Sequence, residues 1–130
     1  MSTPTTGLAH FAGERHIRLS TYARDGAPVA GTTQIAVEGD HAYVRTSGRD
    51  EQNERLERYP EVEITPATLG GTPTGAPLKA HARRLHGAEA RHAARRLARR
   101  HPLMQGLAAP LGCALKLDRP VLYELRLPGD

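Results

Sequence analysis

The sequence predicts a mainly β (α+β) domain: a small six-stranded antiparallel barrel with flanking helices. Three observations lead there. Six segments read as strands, and four of them alternate apolar and polar residues with the period of a half-buried strand. The first three are joined by short Gly- and Asp-containing turns, as in a meander. The helical stretches are too few to alternate with strands, as a parallel α/β sheet would require.

Taken in order, residues 1–6 (Ser, Thr and Pro after Met1) read as a frayed lead-in, and Leu8 and Phe11 at helical spacing predict a short helix over 7–14. His16 to Tyr22 alternates, with Ile17, Leu19 and Thr21 on one face and Arg18 and Ser20 on the other. Asp25-Gly26 is a strong hairpin signal. The second strand runs Pro28 to Val37, Glu38-Gly39-Asp40 turns the chain again, and His41 to Thr46 is the third strand. Asp50 is placed to cap a charged helix that stops before Pro60, because proline disfavours helix in the residue preceding it. Val62 to Ala67 is the fourth strand, and the Gly- and Pro-rich run 69–77 is a hairpin loop or flap. The fifth strand, Leu78 to Leu85, sets Leu78, Ala80 and Ala82 against Lys79, His81 and Arg83. Ala88 to Arg100 is the best helix, with Ala90, Ala93, Ala94 and Leu97 on one stripe and arginines around the rest. Pro102 to Gly112 reads as irregular, and Val121 to Leu127 closes the sheet.

A chain of 130 residues suits a single domain over 1–130. Apolar residues make up 38% and there is no Trp, so a dimer interface would add useful buried surface. The net charge of +4 favours anionic partners, and a cofactor phosphate satisfies that as well as nucleic acid does. The only cysteine, Cys113, allows no intrachain disulfide and reads as structural. With no apolar leader and no run long enough for a membrane helix, the expectation is a cytoplasmic protein without a membrane partner. The seven histidines show no metal-ligand spacing, so no metal is expected. The arginine-rich helix spreads its charge around its circumference without interleaved aromatics, which argues against nucleic acid.

The junction from Ala42 to Val62 organises the chain: a strand end, a Ser-Gly turn, a short charged helix and the next strand. It gathers backbone N–H groups and guanidinium groups, a combination that suits a phosphate. Together with Leu19–Val29, Tyr43–Thr46, Arg55–Val62 and Ala80–Ala90, this junction resembles the split-barrel flavin and deazaflavin proteins. These are the pyridoxamine 5'-phosphate oxidase-like superfamily, in particular its deazaflavin-dependent oxidoreductase branch. The resemblance extends from about residue 15 to residue 127. It implies a six-stranded split β-barrel, a homodimer with sites at the interface, and coenzyme F420, or in second place FMN, as cofactor. The implied activity is hydride transfer to or from a small conjugated or hydrophobic substrate.

Carried over residue by residue, the resemblance puts Arg45, Thr46, Ser47, Arg49, Gln52 and Arg55 at the cofactor's anionic end. Gln34 and Tyr43 would face its ring or the substrate as the catalytic pair. Two positions that are lysines in the family are Gln52 and Glu54 here, and Glu54 would repel a phosphate. The second expectation is therefore a cofactor-free member of the fold, acting in specialised metabolism as a cyclase, isomerase or ligand-binding protein.

Overall fold

The computed structural model of the chain describes residues 8, 11–48, 51–68, 70–100 and 120–127. The elements are β1 (His16–Tyr22), β2 (Pro28–Glu38), β3 (His41–Thr46), α1 (Gln52–Arg58), β4 (Glu61–Pro66), β5 (Leu78–Arg84), α2 (Gly87–Arg100) and β6 (Val121–Arg126). The strands close into an antiparallel ring in the order β1-β2-β3-β6-β5-β4. The mainly-β six-stranded barrel expected from the sequence is the fold observed.

Alternation decides which side chains fill the barrel. Ile17 and Leu19 of β1, Ile35 of β2, Ala42 and Val44 of β3, Val62 and Ile64 of β4, Ala80 and Ala82 of β5, and Val121, Tyr123 and Leu125 of β6 form one buried cluster. Leu8, Phe11 and Leu56 join it from outside the sheet. Each buried Leu, Ile or Phe contributes about 1.5–3 kcal/mol by leaving water.

The other face of β3 and β6 is covered as well. Ala36, Tyr43 and Leu122 pack with Leu85, Ala93 and Leu97 under α2. Tyr43 and Glu124, which alternation alone would set toward solvent, are therefore 5% and 7% exposed.

The β1–β2 turn follows the Asp-Gly signal. Gly26 takes a φ of 86°, which L side chains rarely adopt, and the Asp25 carboxylate accepts a hydrogen bond from the Ala27 amide (2.9 Å). The barrel has one corner where pairing runs out. The β1–β4 ladder extends from Ile17↔Pro66 to Ser20↔Glu63 and stops, while β1 stays paired with β2 to Tyr22 and β4 with β5 to Glu61.

Of the expected N-terminal helix, the described residues show one turn, closed by the Glu14 amide on the Phe11 carbonyl (2.9 Å). The residue at the start of α1 is Glu51, without a side-chain cap, and Asp50 lies outside the described residues. Arg49, Cys113 and the segment 102–112 lie outside them too. The loop after β4 is pinned rather than free: Ala67 bridges to Pro73, the Gly71 amide bonds the Thr68 carbonyl (2.9 Å), and the Thr74 amide bonds Pro66 (2.8 Å). Gly70-Gly71 therefore makes a turn. No helix among the described residues is long and apolar enough to cross a membrane.

Candidate functional site

Helix α1 is docked to the barrel by polar contacts, and these use several of the residues expected to hold a cofactor. The Asn53 side-chain oxygen accepts from the Thr46 hydroxyl (2.6 Å) and the Tyr123 hydroxyl (2.7 Å), while its amide donates to the Ser47 carbonyl (2.7 Å). Both acceptor lone pairs are thus occupied, which fixes the amide's orientation. The Arg55 Nε donates to the Thr21 hydroxyl (2.7 Å), and Thr21 is fully buried. Gln52 is 8% exposed and lies over Gly31, where a Cβ would stand 2.5 Å from its Nε2. Glycine permits that approach. Thr46, Gln52 and Arg55 are therefore turned inward, holding the helix to the strands.

The cations around α1 are matched by carboxylates. Arg55 stands 3.8 Å from Glu51, and Arg24 and Arg58 stand 3.5 and 3.7 Å from the same Glu54 oxygen. The helix is also only seven residues long, so its dipole adds little.

Arg45 is different. It lies on the outer face of β3, half-buried, and its Nη2 donates to the Gln34 side-chain oxygen (2.9 Å). The Thr33 hydroxyl donates to its backbone carbonyl (2.6 Å), which fixes the strand there. Among the described residues no carboxylate stands within ion-pair distance of the Arg45 guanidinium. Burial moves its pKa below the ordinary arginine value, the direction expected for a cation drawn out of water without a counter-ion. The structure thus brings Arg45 and Gln34 together, with Ser47 exposed two residues further along the strand end.

Tyr43 faces a separate cluster. Its hydroxyl donates to Glu38 (2.8 Å) and lies 3.1 Å from His41 Nε2. Glu38 is also held by His92 (3.0 Å) and by Arg96 (3.3 Å) from α2. Burial, with the Glu38 bond second, pushes the Tyr43 phenol up to about 12. The hydrogen bonds from His92, Tyr43 and His41 hold the Glu38 carboxyl down to about 2. The cluster ties α2 to β2 and β3, and Tyr43 keeps its proton within it.

Sequence reasoning missed Asn53, Thr21 and Tyr123, because nothing local marks them. They take their roles only once α1 lies against the strands, where Asn53 accepts from Thr46 and Tyr123 and Thr21 accepts from Arg55. Among the described residues no group of three or more His, Cys, Asp or Glu side chains is arranged to hold a metal ion.

No protein-family model matches the chain, and no curated protein matches it. Solved structures do. HutZ, the heme storage protein from Vibrio cholerae, aligns with a TM-score of 0.68 at 15% identity, over 91% of this chain and 84% of that one. A candidate 5-nitroimidazole antibiotic resistance protein from Bacteroides thetaiotaomicron aligns with 0.69 at 12% identity, over 98% and 81%. A candidate pyridoxamine 5'-phosphate oxidase from Listeria innocua gives 0.62 at 14% identity, over 91% and 87%. The shared property is the fold. At these identities the likeness carries the split barrel and leaves the ligand to be argued from this chain's own residues.

Proposed function

We propose that the protein is a split-barrel oxidoreductase that holds coenzyme F420, or in second place FMN, by its anionic end at Arg45. The observation that carries this reading is the half-buried Arg45 guanidinium, answered among the described residues by the neutral oxygen of Gln34 alone. A cation withdrawn from water costs free energy unless an anion faces it, and the planar guanidinium fork matches a phosphate or carboxylate. The residues fit the anionic end of such a cofactor: Arg45 supplies charge, Gln34 orients the guanidinium and presents its own amide, and the exposed Ser47 adds a hydroxyl at the strand end. Thr46, Gln52 and Arg55 act at one remove, by fixing α1 beside that end.

Bound there, the cofactor would supply the hydride. The protein's part is to bind, orient and exclude water, and the substrate class is small conjugated or hydrophobic molecules. A second copy of the chain packed on this face would complete the burial of Arg45, which is the role of the homodimer in this reading. The test is a fluorescence titration with coenzyme F420 and, separately, FMN. Saturable binding at or below tens of micromolar that weakens at least tenfold in Arg45→Met supports the reading. No binding of either cofactor overturns it.

One observation favours a second reading. Arg24, Arg55 and Arg58 already face Glu54 and Glu51, so α1 has no spare positive charge at the positions where the family carries lysines. That is the pattern of a cofactor-free scaffold, and failure of both titrations with an intact fold would favour it.

A further inference from the structure

A different site lies at the corner where the β1–β4 ladder stops. Past Ser20 and Glu63 these strands no longer pair, and the opening holds a groove of about 760 Å³ lined by Tyr22, Arg24, Arg58, Tyr59, Val62 and Lys79 among others. Small-molecule sites span roughly 300–1,000 Å³. In the ring of strands the β1/β4 corner stands opposite β3 and β6, so this groove is separate from the Arg45 face.

Its walls have two chemical features. The first is aromatic. Tyr22 and Tyr59 meet edge to face, with ring centroids 5.8 Å apart at 82°. Tyr59 remains 45% exposed, one of the few large apolar side chains left to solvent among the described residues. Its hydroxyl donates to Glu61 (2.6 Å), which anchors that ring, and Arg58 donates to the Tyr22 backbone carbonyl (3.3 Å), which fixes the chain carrying the other.

The second feature is charge. The lining carries three cations (Arg24, Arg58 and Lys79) against one acid, Glu61, which already accepts from Tyr59. Arg24 and Arg58 share a single carboxylate oxygen on Glu54. Lys79 has Glu63 as its cross-strand neighbour but makes no ion pair among the described residues. A groove with ring surface and a lysine that no carboxylate among the described residues pairs is complementary to a flat anion.

We propose that the groove binds a flat aromatic carboxylate, its ring against Tyr22 and Tyr59 over Val62 and its carboxylate toward Lys79, with Arg24 and Arg58 at the rim. This assignment does not rest on the cofactor reading, since no residue of the Arg45–Gln34 pair takes part.

The experiment is equilibrium dialysis of the intact chain against 2-naphthoate, with neutral 2-naphthamide as the comparison. The expected result is one saturable site for the carboxylate and binding weaker by about threefold or more for the amide, the scale of an exposed ion pair. Lys79→Met should remove that discrimination, and Tyr59→Leu should weaken both ligands by about fivefold, the scale of one aromatic contact. Both positions are exposed, and an unchanged thermal midpoint in each variant establishes that it is folded. Absence of saturable binding up to millimolar 2-naphthoate overturns the proposal. So does binding that is indifferent to both substitutions.

Discussion

Replacing Asn53 by alanine tests how α1 is held. The substitution removes three hydrogen bonds of 2.6 to 2.7 Å: those from the Thr46 and Tyr123 hydroxyls and that to the Ser47 carbonyl. Thr46 and Tyr123 are 5% and 2% exposed, so solvent replaces the lost acceptor poorly. At about 1 kcal/mol for each bond, the loss is about 3 kcal/mol. For a domain of this size that lowers the thermal midpoint by roughly 10 °C. Asn53→Asp separates the terms, since it keeps both acceptor sites and loses only the donor to Ser47. It should cost about a third as much, plus a small repulsion between carboxylate and carbonyl. Both variants are read by thermal and urea unfolding. If Asn53→Ala lies within 0.5 kcal/mol of wild type, or Asn53→Asp costs as much as alanine, the docking account is wrong.

Three further outcomes follow from the same contacts. Gly31→Ala sets a Cβ 2.5 Å from Gln52 Nε2, the far end of a flexible side chain that can turn aside, so the cost should stay below about 1 kcal/mol; adding Gln52→Ala should remove most of it in a double-mutant cycle, and additive effects would refute the contact. Glu38 has a folded-state pKa of about 2 against an ordinary value of 4.5, so its stabilisation is whole above about pH 4.5 and is lost as pH falls toward 2. Wild type should lose thermal stability across that window more steeply than Glu38→Gln, and parallel curves would contradict it. Arg45→Met exchanges a half-buried cation, with no carboxylate in ion-pair distance among the described residues, for an apolar chain, so the ligand-free protein should be as stable as wild type or more stable by about 1 kcal/mol. A loss above 1 kcal/mol on unfolding would assign Arg45 a structural role instead.

The elements were legible because strands and turns are local signals. β1 and β3 begin and end where alternation places them, and Asp25-Gly26 names its own turn. The covered outer face was less visible. Alternation alone sets Tyr43 and Glu124 on the outward side, and only the placement of α2 across β2, β3 and β6 shows that they are buried. The junction carrying the candidate residues was legible as a strand, turn and helix, and the directions of its side chains were not. Arg45, Thr46, Gln52 and Arg55 are adjacent in sequence terms, yet strand alternation sends Arg45 outward and Thr46 inward, and α1 turns Gln52 and Arg55 toward Gly31 and Thr21. The groove at the β1–β4 corner had no sequence signal, because Tyr22, Tyr59 and Lys79 come together only where pairing ends.

The central claim is that an anionic cofactor is held on the outer face of β2 and β3. Amide hydrogen exchange with and without saturating coenzyme F420, repeated with FMN, tests it most directly. The account predicts slowed exchange over Gln34–Glu38 and Ala42–Ser47, absent in Arg45→Met. Protection confined to Tyr22–Gly26 and Arg58–Val62, or identical exchange with and without either cofactor, would contradict it.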